Sequence, residues 1–214
     1  MCEVVPAVLS KSVVNRGEIV KARRSGRCEE EMAVLFGLVS VMQNACVVGP
    51  SAADKTSILV RLADPQTQRE HGLDPSQFLF CYLNLGSAKD IKPQQLFELM
   101  LLGMIRAASR CPRLIHLQSL PSPCDTTFRQ LLSHVERAEM IGLNVVWALD
   151  DYDTACRNHE RNLGFFSALR SLASRPNVAL VAASRHPLSR WNEARRPVGS
   201  SLAGLFVTIR LDLP

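Results

Sequence analysis

One polar segment of this chain has the residue types and spacing of a phosphate-binding loop. Gly49 is followed by four residues and then by Asp54, Lys55 and Thr56, directly after the apolar stretch ACVVG. In such a loop, backbone N–H groups surround the anion, the lysine neutralises phosphate charge and the next hydroxyl binds Mg²⁺. Asp54 stands where the second glycine is expected. Taken alone, the segment is therefore better explained as a strand-to-helix turn with an exposed lysine.

Two adjacent carboxylates close a second apolar stretch, NVVWALDD. At the end of a buried strand, Asp150 could hold Mg²⁺ through water, and Asp151 could orient and deprotonate an attacking water. The alternative is an ordinary loop or helix-capping pair. Because neighbouring carboxylates repel each other, a nearby cation explains the pair better.

A third polar pair, Ser184 and Arg185, follows the apolar stretch NVALVAAS. A polar side chain there could sense a terminal phosphate, and an arginine could stabilise charge that develops during transfer. The alternative is a surface arginine that begins a loop before Pro187.

Short apolar stretches alternate with amphipathic ones along the chain. We predict strands at 45–49, 78–85, 143–151, 177–185 and 205–213, and helices at 56–64, 92–110, 125–142 and 164–174. Continuously apolar strands separated by helices belong to a parallel sheet covered on both faces, so the predicted fold is α/β and doubly wound. Ligands bind beyond the carboxyl ends of such strands. We therefore expect Lys55, Asp150 and Arg185 to meet at one pocket.

Composition excludes several classes of protein. The 214 residues are 47% hydrophobic and 21% charged, as in soluble globular proteins, and no apolar run approaches the roughly 20 residues of a membrane span. The N-terminus lacks the pattern of a secretion signal, and the seven cysteines show no C-x-x-C pair. We expect a cytoplasmic protein with no membrane partner, no disulfide framework and no zinc site.

The excess of basic over acidic residues raises the question of nucleic-acid binding. The net charge is +5, and the run KARRSGR spans residues 21–27. No aromatic residues interleave with this run to stack bases. A solvated basic face is the simpler explanation, and contact with nucleic acid stays an alternative.

The three segments, in this order, resemble P-loop ATPases of the AAA+/STAND kind, especially bacterial AAA-like ATP-binding proteins. GPSAADKTSIL is similar to the Walker A motif of that family, NVVWALDDYD to its Walker B motif, and FFSALRSLASRPNVALVAASRHPLS to its sensor strand. VVNRGEIVKARR resembles the segment near the adenine, which points to Asn15, Arg16 and Glu18. The resemblance implies a three-layer P-loop NTPase core whose five parallel strands have the order 5-1-4-3-2, with helices on both faces.

The resemblance also implies ATP and Mg²⁺ as cofactors and assigns roles to residues. Mg²⁺ would be held by Thr56 and Asp150, with Asp151 as the base and Arg185 as the sensor. The nucleotide would be bound by Gly49, Asp54, Lys55, Thr56, Ser57 and Arg16. Residues 1–44 would form an N-terminal segment with a helix, and residues 45–214 the core, with the family's C-terminal helical lid absent.

Asp54 is the main departure from that family. At the start of the helix its carboxylate would act as an N-cap, contributing about 1 kcal/mol. Beside a polyphosphate, each pair of like charges costs about 4 kcal/mol at ~4 Å and an effective dielectric of ~20. We therefore predict that Asp54 occupies the anion site itself and that nucleotide binding is weakened.

Three functions follow as hypotheses. The first is an ATP-binding domain whose hydrolysis, weakened by Asp54, drives a conformational switch in other protein domains or subunits. The second is an inactive pseudo-ATPase that serves as a protein-interaction or regulatory module. The third is a DNA-associated helper ATPase, which is supported only by the excess of basic over acidic residues and by the run KARRSGR.

Overall fold

A computed structural model of the chain describes residues 19–21, 28–50, 52–86, 91–109, 127–159, 163–188 and 202–211. The positions expected near the adenine, Asn15, Arg16 and Glu18, lie outside these ranges. Most of the basic run at 21–27 lies outside them as well.

The described strands form one parallel sheet. They are β1 (Ile19–Lys21), β2 (Asn44–Val48), β3 (Phe78–Asn84), β4 (Asn144–Asp150), β5 (Val178–Ser184) and β6 (Phe206–Arg210). Their order across the sheet is β1-β6-β2-β5-β4-β3, and every pairing is parallel. The five predicted strands are β2 to β6, and their predicted order is confirmed. The edge strand β1 was not predicted, because three residues are too few to show a periodic pattern.

Helices follow or precede the strands as crossover connections. They are α1 (Glu29–Ser40), α2 (Ala52–Ala63), α3 (Pro65–Glu70), α4 (Pro93–Ala108), α5 (Thr127–Met140), α6 (Tyr152–His159) and α7 (Leu163–Ala173). The predicted start of α2 at residue 56 was wrong, because the helix already begins at Ala52. Alanine is the best helix former, so the pair AA favours extending the helix toward the strand.

Two hydrophobic clusters lie on opposite faces of the sheet. On one face, Leu35 of α1 and Leu59 of α2 belong to the same cluster as Val47 of β2. On the other face, Met100 of α4 packs in one cluster with Trp147 of β4. Burial of these apolar surfaces is the main stabilising term, and it fixes the three-layer α/β architecture.

Buried polar groups lock the strands in register. Asn44, at the start of β2, donates to the Ala173 carbonyl at 2.9 Å and accepts from the Leu180 N–H at 2.9 Å. Trp147 Nε1 donates to the Met100 carbonyl at 3.2 Å. These bonds hold β2 beside β5 and α4 against β4, so the carboxyl ends of β2, β4 and β5 meet at one edge.

Within the described part of the chain, none of the helices has the length and apolar character needed to traverse a bilayer.

Candidate functional site

The connection from β2 to α2 holds a buried lysine. Lys55 is 1% exposed, and its Nζ donates a 2.6 Å hydrogen bond to the carbonyl of Gly49. The N–H of Gly49 donates to the Ser184 carbonyl at 3.3 Å, which ties this connection to the end of β5. A Cβ on Gly49 would lie 3.0 Å from the Cβ of Leu211, so the close approach of the chain after β6 favours glycine.

The residue after the lysine contacts the end of β4. Thr56 Oγ1 donates a 2.6 Å hydrogen bond to Asp150 Oδ2. The same carboxylate oxygen accepts from the Tyr82 hydroxyl at 2.9 Å, and Asp150 Oδ1 accepts from the N–H of Asp151 at 2.9 Å. Asp150 is 4% exposed, and these donors compensate for the burial of its charge.

Asp151 occupies a restricted backbone conformation. Its φ of 54° lies in the left-handed region, which costs a non-glycine residue free energy and is often found at functional sites. Its carboxylate lies against the turn after β3, since a Cβ on Gly86 would come within 2.5 Å of Asp151 Oδ2. Gly86 therefore leaves the space that the Asp151 carboxylate occupies.

The end of β5 is joined to α6 by a buried acid. Ser184 Oγ donates to Asp153 Oδ1 at 2.8 Å, and the N–H of Arg185 donates to Asp153 Oδ2 at 2.5 Å. Asp153 is 4% exposed and Ser184 is fully buried, whereas the side chain of Arg185 is exposed. Asp153 thus fixes the backbone from which Arg185 projects.

The charged groups around Lys55 act on its pKa in opposite directions. Burial lowers the pKa of Lys55, and the positive charge of Arg185 lowers it further. The negative charges of Asp153, Asp150 and Asp151 act in the opposite direction. The strand register places them geometrically: Val48 pairs with Ser184 and Leu149 with Ala182, so the lysine after β2, the acids at the end of β4 and the arginine after β5 lie at the same edge of the sheet.

The Tyr82 hydroxyl stays protonated over the physiological range. Burial, together with its hydrogen bond to Asp150, raises the pKa of Tyr82 to about 12. A protonated phenol is a donor to the carboxylate rather than a second negative charge.

Asp54 and Ser57 lie on α2, on either side of Lys55 and Thr56. Asp54 is the third residue of α2, so its predicted role as the cap of that helix was wrong. Its negative charge raises the pKa of the Cys28 thiol at the start of α1, after the larger effects of burial and Glu31. Ser57 is exposed on α2.

Two residues of the site, Tyr82 and Asp153, were missed at the sequence level. Tyr82 belongs to a strand that was predicted. Its contact with Asp150 depends on the register of β3 against β4, in which Tyr82 lies opposite Ala148. Asp153 follows Asp151 by two residues in DDYD, and this third acid was the available signal. The short helix α6, which orients Asp153, was not predicted.

Comparison with known proteins identifies similar folds. No protein-family model matches the sequence, and a search of curated proteins also finds no match. The ORC2 protein of Aeropyrum pernix, solved with ADPNP and ADP, has a TM-score of 0.57 and 13% identity over 89% of this chain and 48% of its own. Cdc6p of Pyrobaculum aerophilum has a TM-score of 0.55 and 15% identity over 87% of this chain and 46% of its own.

A third solved structure, Drosophila ORC bound to AT-rich DNA and Cdc6, has a TM-score of 0.51 and 15% identity over 84% of this chain and 53% of its own. The chain spans about half the length of these structures. At such identities the likeness concerns the fold alone. The chain has a parallel α/β fold similar to the fold of these ORC and Cdc6 proteins.

Proposed function

We propose that this chain is an ATP-binding domain whose nucleotide lies at the carboxyl edge of β2, β4 and β5. The observation that carries the proposal is the 2.6 Å contact between Thr56 Oγ1 and Asp150 Oδ2, which joins residues 94 positions apart. A hydroxyl from the second turn of α2 and a carboxylate from the end of β4, beside a buried lysine, are the groups that a P-loop uses.

The oxygen atoms of Thr56 and Asp150 suit Mg²⁺. This ion prefers oxygen ligands and is usually bound through one or two carboxylates together with phosphates and water. Among the residues described, no cluster of three His, Cys, Asp or Glu could hold a metal by itself. Bound Mg²⁺ would neutralise phosphate charge, while Thr56 and Asp150 would hold it in place.

The remaining side chains have distinct proposed roles. Lys55 would exchange its bond to the Gly49 carbonyl for a phosphate oxygen, and Asp151 would orient the attacking water. Arg185, exposed after β5, would contact the terminal phosphate. Because Asp153 binds the backbone of Arg185 and belongs to α6, a phosphate at Arg185 would be sensed by α6. This link is the basis for a STAND-like conformational switch.

Asp54 weakens the site in this proposal. Its carboxylate lies in the first turn of α2, close to where the helix N-terminus attracts anions. A fixed negative charge there repels a polyphosphate whether or not it enters the anion site itself. Binding is therefore weaker than in a loop with glycine at this position, and hydrolysis is slow.

A titration with fluorescent ATP, with and without Mg²⁺, tests the proposal on the wild type and on Lys55→Ala. Saturable binding by the wild type that Mg²⁺ strengthens and that Lys55→Ala loses is the expected result. Equal binding by both proteins would place the nucleotide elsewhere. A melting curve of each protein without ligand checks that the loss of the buried lysine leaves the fold intact.

An inactive regulatory domain is the second candidate. It is supported by the early start of α2, because residues 49–51 alone separate β2 from that helix. Fewer backbone N–H groups then lie outside the helix to surround phosphates. ATP binding without measurable release of phosphate would favour this candidate over the switch.

A DNA-associated helper ATPase is the third candidate. It is supported by the net charge of +5 and by the similar folds of Drosophila ORC, bound to AT-rich DNA, and of Aeropyrum pernix ORC1, solved in complex with DNA. Duplex DNA affinity that falls steeply with salt would favour it. Affinity that is absent at low salt would exclude it.

A further inference from the structure

The hydroxyl of Tyr82 binds the carboxylate that is proposed to hold Mg²⁺. Tyr82 lies on β3, which pairs with β4 so that Tyr82 is opposite Ala148, two residues before Asp150. From there its hydroxyl donates to Asp150 Oδ2 at 2.9 Å, on the same oxygen that Thr56 contacts at 2.6 Å.

The lone pairs of Asp150 are nearly all in use. A carboxylate offers about four acceptor positions, two on each oxygen. Thr56 and Tyr82 take both positions on Oδ2, and the N–H of Asp151 takes one on Oδ1. One position on Oδ1 stays open, but a cation bound by Thr56, or its water, lies on the side of Oδ2, where Thr56 makes its contact, and needs a position on that oxygen. The Thr56 hydroxyl belongs to the proposed metal site, and the Asp151 N–H is held by the backbone, so Tyr82 is the donor that can leave.

We propose that Tyr82 competes with Mg²⁺ for Asp150 and so raises the metal concentration that this domain requires. The inference rests on the proposed function, because it assigns a role at the same site. Tyr82 is a positioning residue here, since it acts through Asp150 and not on the nucleotide. Its side chain is only partly buried, which leaves it room to release the carboxylate.

Tyr82→Phe removes the competing hydroxyl and keeps the ring. Hydrogen bonds to charged groups are stronger than those between neutral groups, and water restores part of the lost bond after the substitution. We therefore expect the dissociation constant for the metal to fall about tenfold. Phe80→Leu is the matched control, because Phe80 lies on the same face of β3 and packs against the same cluster without a polar group.

The test measures Mn²⁺ binding by electron paramagnetic resonance in the absence of nucleotide. The expected result is tighter Mn²⁺ binding by Tyr82→Phe than by wild type and by Phe80→Leu. The gain should vanish when Asp150→Asn is also present, because both substitutions act on one contact. Melting curves of all variants, recorded without metal, verify that each protein is folded.

Unchanged or weaker Mn²⁺ binding by Tyr82→Phe, or no binding by any variant, would overturn the inference. A gain that persists in the Asp150→Asn background would also overturn it. The proposed function is tested by a separate arm with fluorescent ATP. If neither wild type nor Tyr82→Phe binds that nucleotide, the proposed function fails, whatever the result with Mn²⁺ alone.

Discussion

Asp153 Oδ1 accepts a 2.8 Å hydrogen bond from Ser184 Oγ, and this contact joins α6 to the carboxyl end of β5. The same carboxylate accepts a hydrogen bond from the N–H of Arg185. Among the nearby charges, it has the largest effect on the pKa of Lys55, which it raises against the effect of burial. It therefore links α6 to the end of β5 and lies near the lysine.

Replacement of Asp153 by asparagine should lower the stability of the protein. An amide is neutral, so Ser184 Oγ and the Arg185 N–H lose a charged acceptor, and Lys55 loses the negative charge of Asp153. We expect the free energy of unfolding in urea to fall by about 2 kcal/mol. Glu30→Gln, at an exposed position of α1, serves as the control and should change it little. Equal stability of Asp153→Asn and wild type would show that the contact contributes nothing.

Two glycines in open space should respond to alanine in opposite directions. Gly37 lies inside α1 and Gly142 follows α5 with φ of 72°, and a Cβ at either position would meet no atom within 4 Å. Gly37→Ala should raise the melting temperature, because alanine is favoured over glycine in a helix by about 0.5–1 kcal/mol. Gly142→Ala should lower it, because the left-handed conformation costs about 1–2 kcal/mol. Shifts of the same sign would contradict this assignment of backbone conformation.

Two cysteines should differ in their reaction with iodoacetamide. Burial raises the pKa of Cys81 to about 12, and burial, together with Glu31 and Asp54, raises the pKa of the more accessible Cys28. Because the thiolate is the nucleophile, Cys28 should be labelled slowly, at a rate that rises with pH, and Cys81 should be labelled only after unfolding. Mass spectrometry of the labelled peptides, with a urea-unfolded sample as control, measures both. Rapid labelling of Cys81 in the folded protein would contradict its burial.

Removal of the charge of Asp54 should strengthen nucleotide binding. Asp54→Asn keeps the shape of the side chain and Asp54→Gly gives the residue expected in the loop, so the pair separates charge from backbone freedom. Loss of a repulsion of a few kcal/mol should lower the dissociation constant for Mg-ATP at least tenfold in both variants. Isothermal titration calorimetry measures the change. Equally tight binding by wild type and both variants would mean that Asp54 neither occupies nor repels the anion.

The strands β2, β4 and β5 could be predicted because their apolar composition requires that they be buried. The sequences of β2, β4 and β5 are apolar except for a polar residue at one or both ends, and such strands are stable only when both faces of a parallel sheet are covered. The short helices α3 and α6 could not be predicted, because six or eight largely polar residues give little periodic signal.

The positions of the candidate site residues on the fold could be predicted in part for the same reason. Strand ends place Lys55, Asp150 and Arg185 at one edge, so these residues could be found from the order of apolar stretches. The contacts of Tyr82 and Asp153 depend on strand register and on a helix that the sequence pattern does not reveal. The start of α2 was missed because the resemblance to a P-loop extended the loop to Asp54, whereas the alanines before it adopt helix.

Hydrogen–deuterium exchange with and without Mg-ATP tests most directly whether one nucleotide binds the edge formed by β2, β4 and β5. The prediction is slower exchange in three peptides that are distant in the chain, around Lys55, around Asp150 and around Arg185, with Lys55→Ala abolishing all three changes together. Slower exchange in one of these peptides without the others, or changes confined to another part of the chain, would contradict a shared nucleotide site.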